Sequence, residues 1–406
     1  MVNGNLAHSR SSNTTSASNP PWSPPKYLFY LLLVGLGSFF LGKIVLGSIS
    51  FNFWYITIAV CLLLPLLLLF AAFRAGKQGQ IAFLYDRHAL LILLALLPSL
   101  LIYGYSIRAW VITYLCLSIY TSYRISQGLI RNPASGKIER SRIVAIYRTI
   151  IAGGLYISCY GLAQFYFKGL RAFPPLHFPA AVYRLYETFP VFYNLTATLL
   201  LLLIPMAYGL IQLSHARWEK WSICLIMGIF ILTLFLSYSR GSWLAFGVLL
   251  IVFAAHRRKF MPLAILAAIA MVIFWFSPVH LAERLKTVFS FDYLTNFKRI
   301  QYWGAALGMI LQRPFTGFGL GSFQTWSPSY ALNPGFTPPV TPHNFYLHIA
   351  AELGLPALII FLVLLAQTLQ RCWHLAKTSF IAEDRITNQV ALLGFSALSF
   401  YFLMDF

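Results

Sequence analysis

The chain has 406 residues, of which 59% are hydrophobic and only 10% are charged. Soluble proteins carry about 25% charged residues, so this composition excludes an ordinary soluble domain. Apolar runs of about twenty residues recur along the sequence, and each is long enough to cross a bilayer core of roughly 30 Å as a helix. The sequence therefore predicts an all-α polytopic integral membrane protein.

The chain divides into four predicted parts, of which the first is a polar tail. Residues 1–26 are rich in Ser, Asn and Pro, which predicts a disordered N-terminal tail on the cytoplasmic side. No short apolar region in it ends in a small-residue cleavage site, so we expect an uncleaved first helix. Residues 27–277 are predicted to form nine membrane helices with short loops. A large external loop that contains helices spans 278–344, and C-terminal membrane helices occupy 345–406.

The distribution of Lys and Arg residues between the loops predicts the topology of about 11–12 membrane helices. The spans are roughly 27–48, 52–73, 89–105, 109–123, 144–167, 191–213, 221–238, 241–255, 261–277, 345–369 and 387–405. With the N-terminus inside, the inside loops carry sixteen Lys and Arg residues, whereas the short outside loops carry almost none. Eleven spans would leave the C-terminus outside, so we expect a twelfth helix beyond the sequence.

The external face is predicted to be basic. Two long outside segments, 168–190 and 278–344, break the charge rule, as long translocated loops are able to do. Together with Arg108 and Arg240 they give this face ten Lys and Arg residues but only three acids. Such a surface favours an anionic partner, with lipid headgroups as the alternative.

Common enzyme signatures are missing from the sequence. It has no GxxxxGK[ST] phosphate loop, no HExxH and no DxD pair. The three external acids offer few ligands for a divalent metal, and the five cysteines are scattered without metal-ligand spacing. We therefore expect chemistry that needs no metal and no cofactor and that relies on Arg and His.

Arg240 stands in "LSYSRGSWLAFG", between two apolar runs. Residues 221–255 would otherwise form one overlong helix with Arg240 at its middle, where an arginine costs roughly 2.5–3.5 kcal/mol. A break at this motif instead puts Arg240 at an outer turn, and Gly241 permits a tight turn there. We interpret Arg240 as a functional anion-binding residue.

A second candidate arginine opens the stretch "RIQYWGAALGMILQRPFTGFGLGSF". Apolar residues at helical spacing predict an amphipathic helix, and they are Ile300, Trp303, Ala306, Leu307 and Ile310. Arg299 at its N-terminal end has the wrong sign for the helix dipole, which favours a specific anionic partner. After Pro314 the glycines predict a flexible loop. Arg184, in "YRLYETFPVFYN", either binds an anion or pairs with Glu187.

The stretch "PVTPHNFYLHI" holds the candidate base. His343 follows Pro342 at a helix entrance, and a neutral histidine there would accept a proton from a sugar hydroxyl. The alternative is that His343 only caps the helix. Asn344 would hold a hydroxyl or the ring orientation, and His348 is expected to be structural. Glu352, inside the apolar run, is predicted to be functional or to orient a partner helix or an arginine.

These motifs together resemble the O-antigen ligase and polymerase superfamily of bacterial envelope enzymes. The resemblance runs from "YGLAQFYF" to "AELGLPALIIFLVLL", about half of the chain, and rests on "SYSRGSW", the Arg299 stretch and "PHNFYLHIAAELGLPAL" in that order. It implies an inner-membrane glycosyltransferase with a GT-C-like helical fold and a periplasmic active site. It also implies a donor glycan on undecaprenyl pyrophosphate and, in the ligase branch, a lipid A-core acceptor.

The resemblance further implies a metal-free, inverting transfer. Arg240 and Arg299 would hold the pyrophosphate and His343 would activate the acceptor, with Arg184, Asn344, Tyr302 and Trp303 as substrate-binding residues. Around Arg184 the family favours Gly and Asn-Pro, whereas this chain has "ETFPVFYN". The alternatives are the sister polymerase, a relative that glycosylates protein or another envelope polymer, and a transporter of lipid-linked glycan. The membrane lipids are partners, and no nucleic acid is expected.

Overall fold

The structure is a computed structural model. It describes residues 43–46, 49–52, 96–97, 139–164, 193–237, 239–258, 294–331 and 336–404. The predicted tail 1–26, most of the first four spans, the span 261–277 and Arg184 lie outside these residues. Within them the regular secondary structure is helical apart from one short hairpin.

The hairpin changes the boundaries of the first two predicted spans. Strand β1, Lys43–Leu46, pairs antiparallel with β2, Ile49–Asn52, so that Leu46 lies opposite Ile49. Residues 43–46 of the predicted helix 27–48, and residue 52 of the helix predicted to begin there, therefore lie in strands. β-branched residues favour extended backbone, and Ile44, Val45 and Ile49 supply them here.

Four helices form the first half of the described bundle. They are α1, Arg140–Gln164; α2, Tyr193–Leu213; α3, Arg217–Leu236; and α4, Arg240–Arg257. The break between α3 and α4 falls at the "SYSRGSW" motif, which confirms that 221–255 is not one helix. Arg240 is the first residue of α4, so it lies at a helix end as the sequence predicts.

The second half begins with a helix of the predicted external loop, α5, Leu294–Gln312. A short helix α6, Phe323–Trp326, and a 3-10 turn, Ser327–Tyr330, follow it. The C-terminal helices are α7, Phe345–Leu353; α8, Leu355–Thr378; and α9, Ala382–Met404.

The predicted span 345–369 is wrong as a single helix, because Gly354 divides it. Gly354 has a φ of 87°, which a right-handed helix does not allow, and α8 begins afresh beyond it. The predicted inside loop 370–386 is also mostly helical, since α8 continues to Thr378 and α9 begins at Ala382.

Five helices of the described part are long and apolar enough to cross a membrane: α1, α2, α3, α8 and α9. Together with the helical content they confirm the predicted all-α polytopic class. In lipid, helices associate mainly through close packing. Small residues permit this here: a Cβ at Gly154 would come 2.3 Å from Leu203, and one at Gly209 would come 2.5 Å from Val390.

Helices α1 to α4 and α9 share one apolar core. Its most buried members include Ile151, Leu201, Ala207, Phe230, Leu234, Ala245 and Leu393. A second, smaller core joins α5, the loop after it and α7, through Ala306, Met309, Ile310, Phe318, Phe323, Ala350 and Ala351. This second core fixes α5 against the helix that follows His343.

Polar contacts gather the basic helix ends at one end of the bundle, here named the basic end. The Arg140 guanidinium donates a hydrogen bond to the carbonyl of Leu213, which joins the start of α1 to the end of α2. Arg257, the last residue of α4, donates to Gln212 Oε1 at 2.8 Å and to Gln389 Oε1 at 2.7 Å. The starts of α1 and α9 and the ends of α2 and α4 therefore lie together.

The start of α7 lies at the opposite end. The Asn344 amide donates to the carbonyl of Leu403 at 3.3 Å, and the Tyr346 hydroxyl donates to the carbonyl of Ser399 at 2.8 Å. Both acceptors are near the end of α9, one helix length from the basic end. Arg240, at the other end of α4 from Arg257, lies at this opposite end too.

Candidate functional site

Hydrogen bonds between serines shape the turn before Arg240. The Ser242 hydroxyl donates to Ser239 Oγ at 2.9 Å, and the Ser239 amide donates to Ser237 Oγ at 3.3 Å. The indole of Trp243 also donates to the carbonyl of Leu234 at 3.3 Å, which binds the start of α4 to the end of α3. This network holds the backbone of half-buried Arg240 at the helix end.

Arg299 lies within a helix rather than at its start. Helix α5 begins at Leu294, so Arg299 is in its second turn. The helix dipole acts within the first turn, and the argument that the dipole disfavours Arg299 is therefore wrong. The predicted apolar face also shifts: Ile300 and Leu307 are exposed, while Tyr302, Ala305, Ala306, Met309 and Ile310 are buried.

His343 contacts that same helix. Its ring stacks on Tyr302, with the centroids 6.0 Å apart and the planes 30° apart, and Phe336 packs edge-on against Tyr302 at 5.5 Å. Tyr302 is three residues after Arg299, on neighbouring positions of the helix surface. The structure therefore brings the candidate base to the helix that carries a candidate anion-binding arginine.

The backbone at His343 is left-handed, with a φ of 54°. Histidine is one of the few non-glycine types enriched in this region. The helix cap is the next residue, because Asn344 Oδ1 accepts a hydrogen bond from the amide of Leu347 at 3.0 Å. The alternative interpretation, that His343 itself caps α7, is therefore wrong.

Both polar atoms of the Asn344 side chain have protein partners, because Nδ2 donates to the carbonyl of Leu403 while Oδ1 accepts from Leu347. We predict that Asn344→Ala costs about 1 kcal/mol of stability, as loss of a helix cap does. Asn344→Asp keeps the acceptor and serves as the control. Thermal unfolding in detergent measures both, and equal losses for Ala and Asp would contradict a capping role.

Among the described residues, Glu352 binds the glycine-rich loop and no arginine. Its Oε2 accepts from the amide of Gly321 and its Oε1 from the amide of Phe323, both at 2.8 Å. His348, one turn earlier on α7, places its Nε2 3.1 Å from the same Oε1. The carboxylate is buried, so these donors offset the cost of removing it from water. We name this arrangement the Glu352 clamp.

The loop after Pro314 is ordered by α7, contrary to the predicted flexible loop. The amides of Phe318 and Gly319 donate to the carbonyls of Ala351 and Glu352 at 3.0 and 2.8 Å. These acceptors belong to the last turn of α7, where carbonyls have no partner inside the helix. The loop thus completes α7, and three of its glycines have positive φ angles.

Gly317 is where the loop comes closest to α7. Its φ is 63°, and an added Cβ would lie 2.3 Å from the backbone of Glu352. We predict that Gly317→Ala lowers the unfolding free energy by more than about 2 kcal/mol, because a left-handed alanine alone costs 1–2 kcal/mol. Gly247→Ala is the matched control, since nothing lies within 4 Å of its added Cβ. Equal unfolding temperatures for the two variants would contradict this packing.

The other site candidates are only partly brought together. Trp303 follows Tyr302 on α5, and its indole Nε1 is buried with no hydrogen-bond partner among the residues described. Arg240 lies at the same end of the bundle as His343, but it belongs to α4. Arg184 lies outside the described residues. In the described ranges, no three His, Cys, Asp or Glu residues form a group that would hold a metal.

Sequence reasoning missed the Glu352 clamp, although its signal was present. A carboxylate in an apolar run requires donors, and a run of glycines offers backbone amides that side chains do not obstruct. Glu352 and "GFGLGSF" are about thirty residues apart, so only the fold shows that they meet.

The comparison with protein families matches the segment that carries these features. A family model described as "O-Antigen ligase" matches residues 223–362, about a third of the chain, from α3 into α8. No curated protein matches the chain. Members of this family are glycosyltransferase-like membrane enzymes that act on lipid-linked glycans. This match over residues 223–362 supports membership of the O-antigen ligase and polymerase superfamily.

Proposed function

We propose that the chain is an O-antigen ligase, which transfers O-antigen glycan from undecaprenyl pyrophosphate to a sugar of lipid A-core. The observation that carries the proposal is the stacking of His343 on Tyr302, on the helix that bears Arg299. A candidate proton acceptor and a candidate phosphate-binding cation thus lie on adjoining elements.

The proposed orientation follows from charge. Basic residues flank membrane helices on the cytoplasmic side, so we assign the basic end to the cytoplasm. The opposite end, with Arg240 and His343, then faces the periplasm of the inner membrane. Donor and acceptor are both lipid-anchored, which requires a site at a membrane face.

The proposed reaction is one displacement at the anomeric carbon of the donor sugar. A hydroxyl oxygen of the acceptor forms the new bond while the bond from that carbon to the pyrophosphate oxygen breaks. The His343 imidazole takes the hydroxyl proton, as a general base. The departing undecaprenyl pyrophosphate keeps the electron pair, and attack from the opposite side inverts the anomeric configuration.

The arginines have the complementary role. Guanidinium groups bind phosphate oxygens through two parallel hydrogen bonds and stay charged at any relevant pH. Arg299 and Arg240 would neutralise the charge that develops on the leaving group, so no metal is needed for that step. Arg184 is proposed as a further donor contact, and Trp303 and Tyr302 as contacts to sugar. For Asn344 the two protein partners favour positioning of α7 over substrate binding.

Purified protein mixed with undecaprenyl-pyrophosphate-linked O-antigen and lipid A-core tests the proposal, with EDTA present and without nucleotide. A ladder of lipopolysaccharide on a gel is the expected result. Lengthening of the donor without transfer to lipid A-core would instead identify a polymerase. Movement of donor across proteoliposomes with neither product would identify a transporter. A ladder that appears only when a divalent metal is restored would overturn the metal-free mechanism.

A further inference from the structure

Helix α5 has a second apolar face, opposite the face that packs on α7. Phe297, Ile300, Leu307 and Leu311 are exposed, by 81% in the case of Leu311. Their spacing of three, seven and four residues places them in one stripe along the helix. The buried residues, among them Tyr302 and Met309, lie on the other side. We name these four exposed residues, with Phe315, the α5 stripe.

The α5 stripe meets a membrane helix at its C-terminal end. Phe315 is exposed beside it, and the carbonyl of the preceding Pro314 accepts a hydrogen bond from the amide of Leu355 at 2.7 Å. Leu355 is the first residue of α8, a helix that is able to cross a membrane and is only 11% buried over its apolar window. Its outward residues include Leu355, Ile359, Leu362 and Val363. The exposed apolar surface of α8 therefore continues onto α5 at the contact between Leu355 and Pro314.

Charged residues flank the α5 stripe. Lys298 and Arg313 are exposed near the two ends of the helix, and the Arg313 guanidinium lies 4.7 Å from the centre of the Phe318 ring. Long basic side chains at such positions keep their charged ends in water while their stems cover apolar surface. A helix with an apolar stripe and flanking cations is typical of helices that lie in a membrane interface.

We infer that α5 lies in the bilayer interface, with the α5 stripe in the acyl-chain boundary, rather than in water as part of an external loop. The occupant of the stripe is lipid, because the same surface continues onto α8, a helix long and apolar enough to cross a membrane whose outward apolar residues are exposed. The alternative occupants are a second copy of the chain and another segment of the same chain. The inference goes beyond the proposed function and does not depend on it.

Two quenchers test the inference on the full-length protein in lipid nanodiscs. An environment-sensitive fluorescent amino acid is placed at position 307 or 311 by codon reassignment, which leaves the natural cysteines unchanged. Iodide quenches from water, and lipids with brominated acyl chains quench from the bilayer. Position 359 on α8 is the lipid reference, and position 298, on the same helix outside the stripe, is the water reference.

The expected result is that positions 307 and 311 resemble position 359, with strong quenching by brominated lipid and weak quenching by iodide. Quenching by iodide at the level of position 298 would overturn the inference. Protection from both quenchers would overturn it too, because protein would then cover the stripe. In that case loss of protection in nanodiscs that hold a single copy of the chain would identify a second copy as the cover. None of these measurements requires glycan transfer, so failure of this inference can be distinguished from failure of the proposed function.

Discussion

The variant His343→Asn is expected to lower the rate of glycan transfer by about 10²–10⁴-fold, the usual contribution of a general base. Asparagine is chosen because it tolerates the left-handed backbone of this position, whose φ is 54°. The substitution removes the proton acceptor without adding backbone strain. Single-turnover transfer, with the unfolding temperature measured alongside, separates lost chemistry from lost folding.

His374→Ala is the matched control, because His374 is exposed near the C-terminal end of α8, close to the basic end. It is expected to transfer glycan at the wild-type rate. Near-wild-type turnover by His343→Asn would remove His343 from the mechanism. An equal loss in Tyr302→Phe, which retains the stacked ring, would show that the phenol hydroxyl also takes part.

The variant Glu352→Gln is expected to loosen the glycine-rich loop and to lower kcat more than it raises KM for either substrate. The two carboxylate oxygens each accept one amide, from Gly321 and Phe323. The isosteric glutamine has one acceptor oxygen and leaves one amide facing an NH₂ group. A buried donor without a partner costs about 1–3 kcal/mol. Hydrogen exchange at these two amides, together with transfer kinetics, measures the effect.

The reason for a kcat effect is that the clamp joins two elements of the proposed site. The loop continues from α5, which bears Arg299, and Glu352 belongs to the helix that follows His343. Glu139→Gln is the control, since Glu139 forms a partly exposed ion pair with Arg142 at the start of α1, worth at most about 1 kcal/mol. Unchanged exchange at Gly321 and Phe323 in Glu352→Gln would show that the carboxylate does not hold the loop. Faster exchange with an unchanged kcat would show that the clamp stabilises the loop without contributing to catalysis.

The fold class and the position of Arg240 at a helix end were predictable from local properties of the sequence. Apolar run length gives membrane helices, and the cost of a buried arginine places the break between α3 and α4 at "SYSRGSW". Helix boundaries were less predictable. The apolar run continues across Gly354 and predicts one helix at 345–369. In the structure a positive φ at that glycine ends α7, and α8 begins as a separate helix at Leu355.

By itself the sequence determined the class of protein, the family motifs and the candidate residues Arg240, Arg299 and His343, because these depend on composition and short-range spacing. Only the tertiary structure decided which helix the His343 ring contacts. The stack of His343 on Tyr302 and the Glu352 clamp each join residues about thirty to forty positions apart in the chain. Such contacts are formed when α5 and α7 pack around a shared core, and helical periodicity does not specify which helix faces which. The same packing buried Tyr302 and left Ile300 and Leu307 outside, since a helix with two apolar faces can bury only the one that finds a protein partner.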